Sequence, residues 1–470
     1  MLAGAIVASF NILLGIVVLL IPIAIIAISY QRFIVISYLY VAIFGAYIAR
    51  FPGMGWFQYV DEVFTLGMIV IVFLYVVLNR TRIDKNLKHL FFGMTLFVII
   101  TTIVNRPSPL RAFLFILSYF RGFLLFYAII LWRKPGDNLR IIKLFWFVMI
   151  VQLIVNIAWL IGINPIAPTR LIFDRFKGTF TNMTALGYWC IFMIILSSAF
   201  FVSYRGRIRA LSGVALMLAL VLFFGTFTKH GVVFIAAGMG IWMLFFSRFS
   251  FFTKSMFFIG AIGLASITLS VMFKGEGADS GVKSAVMEQI NRFPTTMKYR
   301  SYRSALVDAP KEYPISWLGA GPGNGMDVFA IQFNSKYAEK YINYIYLTYS
   351  GRRERFSEQG GSQLEMPGSG FISIYSDFGI GTILYYGIFF YVFYRIWKSI
   401  YIGIYKNKLD YIIASSSVCC GIVLLLYNFV GWFFAIHPLV GSFWLLAGII
   451  WPDNAYTQPY FKEDNEEEIG

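Results

Sequence analysis

The sequence predicts an all-α polytopic transmembrane bundle of about 12–14 spans carrying one large loop domain. Three observations lead there. Hydrophobic residues make up 59% of the chain, charged residues only 13%, and mean hydropathy is +0.72. Apolar runs of membrane length recur throughout, and within lipid only a helix satisfies its own backbone polar groups in such runs. A single hydrophilic stretch, near Lys274 to Met366, is domain-sized, and it is where the work of such a protein is expected.

The runs lie near 4–28, 33–49, 62–78, 90–104, 112–132, 144–161, 187–204, 211–227, 231–246, 255–273, 371–394, 411–427 and 434–450, thirteen in all. The first has no charged n-region or small-residue cleavage site and reads as a retained span. Residues 1–273 then form an N-terminal bundle, 274–366 the loop, 367–450 the C-terminal helices and 451–470 a solvated acidic tail ending Glu463, Asp464, Glu466, Glu467 and Glu468. Cys190, Cys419 and Cys420 all fall inside apolar runs, as reduced thiols packed like small hydrophobes do. Neither a metal nor another cofactor is indicated.

A net charge of +16 could suggest nucleic acid, but its placement points to membrane topology. The turns at 79–89, 133–143, 205–209, 247–254 and 395–408, with Arg32, carry eighteen Lys and Arg; those at 50–61, 105–111, 162–186, 228–230 and 428–437 carry seven. The positive-inside rule puts the first set in the cytoplasm. The long loop and 162–186 then face outward, and the tail faces inward. No pair of Gly/Pro-broken helices repeats between the halves, which weakens a secondary-transporter reading.

Four constellations open onto the outward side. The first, Asp174-Arg175-Phe176-Lys177-Gly178-Thr179-Phe180-Thr181-Asn182, precedes the span from Gly187. Two cations beside a glycine turn at a helix start suit an anionic head group, and a snorkelling interfacial anchor is the plain alternative. The second, Gly225-Thr226-Phe227-Thr228-Lys229-His230-Gly231, breaks two apolar runs in a space too short for an ordinary loop. Cations at such depth face a cavity or an anion. His230 alone fits a structural hydrogen bond better than catalysis, and Lys229 beside it favours anion binding. Arg121, mid-run, needs a partner that either the bundle or a ligand could supply.

The third constellation lies in the loop, where Arg300 and Arg303 share a helix face ahead of Trp317-Leu318-Gly319-Ala320-Gly321-Pro322-Gly323-Asn324-Gly325. No buried parallel strand precedes these glycines, so they read as a tight turn returning the loop to the membrane and not as a dinucleotide site. The tyrosines between 337 and 349 read as an interfacial belt ahead of a sugar-stacking surface. The fourth runs from Glu365-Met366-Pro367-Gly368-Ser369-Gly370 into a span with Asp377 about two turns in. Pairing with an arginine leads there, just ahead of a general-base role.

In this order the segments resemble the O-antigen ligase and O-antigen polymerase superfamily of bacterial envelope glycosyltransferases, over about Asp174 to Gly381. The family's Arg-then-Gly-Thr-Phe segment corresponds to Arg175 and Gly178-Thr179-Phe180, and its Ser/Thr–Arg helix break is similar to Thr228-Lys229. Its Arg-containing loop start resembles Arg300 to Arg303, and its Gly-x-Gly turn Gly319 to Gly323. The closing acidic-x-Gly-Ile-x-Gly motif resembles Asp377-Phe378-Gly379-Ile380-Gly381. Gly368 and Ser369 stand where the ligase His and Asn would fall, which puts polymerase ahead of ligase.

The resemblance implies metal-independent transfer on the outer face of the bacterial cytoplasmic membrane. The donor would be a glycan on undecaprenyl pyrophosphate and the acceptor another lipid-linked repeat unit. Partners would be this donor, membrane lipids, a flippase and a chain-length regulator, and no nucleic acid. Arg175, Lys177, Lys229, Arg300 and Arg303, with Arg121, are the candidates to hold pyrophosphate, and Glu365, Asp377 or His230 to take the acceptor proton. Competing readings are a lipid-linked glycan flippase and a non-catalytic assembly or export protein.

Overall fold

The computed structural model describes residues 31–49, 60–77, 84–133, 136–161, 178–180, 183–226, 231–247, 302–327, 369–430 and 437–452, with scattered positions near them. Every regular element among these is helical: α1 (Gln31–Ile48), α2 (Val60–Val77), α3 (Lys85–Asn105), α4 (Pro109–Trp132), α5 (Asp137–Leu160), α6 (Met183–Ser203), α7 (Gly206–Gly225), α8 (Gly231–Ile241), α9 (Gly370–Phe378), α10 (Thr382–Tyr401), α11 (Lys408–Val430) and α12 (His437–Ile449). Among the described residues seven segments are long and apolar enough to cross a membrane: α3 to α7, α9 with α10, and α11. Eleven of the thirteen apolar runs coincide with these elements. The run at 4–28 and most of that at 255–273 lie outside the described residues, as do most of the 274–366 loop and the tail from 453.

Local chemistry fixes several boundaries. Asp84 caps α3 by accepting the Leu87 N–H at 2.9 Å, and α3 ends where Arg106 turns left-handed at φ 46°. Pro109 then opens α4, at a position where a helix leaves an N–H without a partner in any case.

α4, α6 and α11 are buried along most of their length, whereas α3 and α7 expose rows of large apolar side chains such as Phe92, Ile99 and Ile103 or Leu211, Val214 and Met217. Lipid tails are as apolar as these side chains, so the inner helices associate through close packing. Aromatic interlocking supplies much of it: the Trp444 ring meets Phe123 at 4.8 Å and Phe126 at 5.2 Å between centroids, and Phe389 stacks on Phe443 at 4.8 Å.

The two sets of turns gather at opposite ends of the bundle. At the basic end, Asp84 meets Arg395 at 3.4 Å and Tyr391 at 3.0 Å, Asn138 donates to Asp410, and the Lys408 ammonium lies 4.6 Å from the Tyr204 ring centre. Tyr411 donates to the Phe246 carbonyl and Arg133 to that of Ile449, closing this end. The other end, here the loop end, holds residues 302–327. These fold around a small core of Ala305, Ala309, Tyr313, Ala320 and Met326 that also takes in Ile372 of α9.

Candidate functional site

The glycine turn is seated on the break between α9 and α10. α9 stops at Phe378, and the Gly379–Gly381 turn leaves the carbonyls of Ser376 and Asp377 without helical donors. Ala320 N–H donates to the first at 2.8 Å and Gly321 N–H to the second at 2.9 Å. Gly319 has φ +77°, and a Cβ on it would lie 2.6 Å from the Asp377 backbone, so only glycine fits. The same turn touches Asn105 and Arg111 across the α3–α4 connection.

Asp377 completes the seat. Its Oδ1 accepts the N–H groups of Asn324 and Gly325 at 3.0 and 3.1 Å, while Ser376 Oγ accepts that of Met326 at 2.8 Å. The side chain is wholly buried, and among the described residues no arginine pairs with it. Among the described residues main-chain donors stand where the sequence led to an expected arginine, because the turn arrives with its N–H groups pointing at the carboxylate. Asp377 Oδ2 has no donor among the described residues and lies against the carboxyl of Asp327, which is equally buried. That contact is a hydrogen bond only when one of the two carries a proton.

A second junction joins the first two constellations. Phe176 N–H donates to the Gly225 carbonyl at 2.7 Å, and the Phe176 ring lies against Gly225. Thr226 and Thr228 hydrogen-bond through their hydroxyls at 2.7 Å, directly over Gly187 of α6. From α5, Asn156 Oδ1 accepts the Gly178 N–H at 2.9 Å and Gln152 Oε1 the Thr179 N–H at 2.8 Å.

Between the junctions runs an aromatic and amide row. Tyr188 of α6 packs on Tyr427 of α11, Asn428 donates to the Tyr386 hydroxyl, and Phe371 stacks on Phe429 at 5.0 Å. Tyr302 stacks on Phe371 at 6.4 Å and donates to the Phe429 carbonyl. Burial pushes the Tyr302 phenol up from its ordinary range, with a hydrogen bond to Ser369 acting the other way, so it remains a donor at neutral pH. Ser369 itself caps α9 by accepting the Ile372 N–H at 3.1 Å.

Of the predicted cations, Arg303 is exposed and 3.9 Å from Asp308. Arg121 is buried within the bundle, donating to Asp61 at 2.6 Å and lying 3.6 Å from Glu62, so α2 supplies its partners. Glu365, His230, Arg175, Lys177, Lys229 and Arg300 lie outside the described residues. Sequence reasoning passed over Gln152 and Asn156, although two amides four residues apart inside an apolar run share a helix face. It passed over Asp327 too, and nothing in its local sequence marks it. No protein-family model matches the chain, and no curated protein does either.

Proposed function

We propose that the chain is an integral-membrane glycosyltransferase that polymerises lipid-linked oligosaccharide repeat units on the outer face of a bacterial cytoplasmic membrane. One observation carries the reading: the segments that resemble the O-antigen polymerase superfamily, scattered from Phe176 to Gly381, meet in two junctions at the same end of the bundle. In the reaction, an acceptor hydroxyl oxygen bonds to the donor's anomeric carbon as the bond to pyrophosphate breaks. The hydroxyl proton passes to a base, and undecaprenyl pyrophosphate leaves with its charge stabilised by cations.

Arg175, Lys177 and Lys229 are the chain neighbours of positions 176, 178 and 228, and Arg303 follows Tyr302, so in this reading these cations hold the pyrophosphate. Asp377, committed to two backbone N–H groups, seats the loop in this scheme; Glu365 or His230 takes the proton. The purified protein in vesicles with a lipid-linked repeat unit is expected to yield longer chains. Translocation of the substrate across sealed vesicles without lengthening would instead establish a flippase.

A further inference from the structure

Gln152 and Asn156 are the polar exception on an apolar span, and both are almost completely buried. Each spends its amide on the first constellation. Asn156 accepts the Gly178 N–H; Gln152 accepts the Thr179 N–H and donates from Nε2 to the Thr179 hydroxyl at 2.6 Å. Asn156 Nδ2 in turn donates to the Gln152 main-chain carbonyl at 2.8 Å, which fixes the Asn156 side chain against its own helix. Gly178, at φ +58°, lies so close to Gln152 that a Cβ there would overlap it. Helix stability needs none of these bonds, because α5 satisfies its own backbone. They fix Gly178 and Thr179, directly after Lys177 and close in sequence to Arg175.

We infer that Gln152 and Asn156 are positioning residues that hold the Arg175 to Thr179 segment for a lipid diphosphate head group, an inference resting on the proposed reading of this site. The opposite wall comes from the Phe176 N–H bond to Gly225 and from the Thr226 and Thr228 hydroxyls over Gly187 of α6; Lys229 follows Thr228 in the chain. A diphosphate needs several donors held in fixed relation, and buried amides set that relation without adding charge.

Farnesyl pyrophosphate binding to the purified full-length protein in micelles, with farnesol as the uncharged control, tests this apart from turnover. Asn156→Leu and Thr179→Val are expected to weaken binding about tenfold, equivalent to ~1.4 kcal/mol. Thr179→Ser keeps the hydroxyl, so it should stay within about threefold of the parent protein. In the polymerisation assay the Leu and Val variants should raise the half-saturating donor concentration and leave kcat unchanged. Should Asn156→Leu fail to fold, Thr179→Val decides alone, since it is isosteric. Parent-like binding in stable Leu and Val variants overturns the inference, as does a parent protein that binds farnesyl pyrophosphate no better than farnesol. Intact, variant-sensitive binding without any polymer sinks only the polymerase reading.

Discussion

Asp377 receives two backbone N–H groups on one oxygen and meets a carboxyl with the other, so an asparagine there keeps the first contact and offers Asp327 an N–H in the second. Asp377→Asn is therefore expected to keep polymer output within about twofold of the parent, a change of under ~0.5 kcal/mol. Loss of all polymer in a stable Asn variant would return Asp377 to the role of base. Asp377→Leu strands two buried N–H groups at about 1–3 kcal/mol each and should lower the thermal midpoint in detergent. Gly319→Ala, at a left-handed position pressed on the Asp377 backbone, should lower it as well, by about 1–3 kcal/mol. The importance of Asp377 was legible in the sequence because a carboxylate inside a span demands a partner. The partner was not legible, since main-chain N–H groups carry no residue type.

At the scale of elements, α2 and α4 are held together by Arg121 with Asp61 and Glu62. Removing one member of a buried ion pair costs about 3–5 kcal/mol, because the other is left charged and unmatched. Arg121→Leu should lower protein abundance and the thermal midpoint, and adding Asp61→Asn with Glu62→Gln should recover most of the loss. A stable Arg121→Leu protein that no longer binds farnesyl pyrophosphate would make Arg121 a ligand-binding residue. Apolar composition and run length sufficed to find the described helices, down to α9 and α10, where Gly379 and Gly381 break what composition reads as one run. Which helices lie inside was harder to read: α3, α6 and α7 are similarly apolar, and only packing separates the buried α6 from the other two.

At the scale of the whole molecule, the described turns sort into a basic end and a loop end, and charge placement along the sequence separated the same two sets. This follows from alternation, because consecutive spans must connect at alternate ends. By the positive-inside rule the basic end is expected in the cytoplasm. Cys190, Cys419 and Cys420 are fully buried, so a thiol reagent will report only a cysteine that is introduced. In intact cells Lys311→Cys should react with a membrane-impermeant maleimide and Lys406→Cys should not. The reverse pattern would invert the topology and remove the outward-facing reaction. The grouping of the four constellations into two junctions was invisible in the sequence, because their partners lie on distant helices, as Gln152 and Asn156 do for the segment at 178–179.

The glycine turn is gripped almost entirely by main-chain atoms: carbonyls at a helix break receive Ala320 and Gly321, and a single carboxylate receives Asn324 and Gly325. Such a grip does not read side chains. Side chains at 302–313 are held by their own packing on α9, but sequence beyond residue 327 can diverge while this anchoring point stays fixed, as a hinge plate accepts different doors. Under the proposed reading, such a protein changes the glycan it handles by rewriting that part of the loop, leaving the bundle beneath untouched.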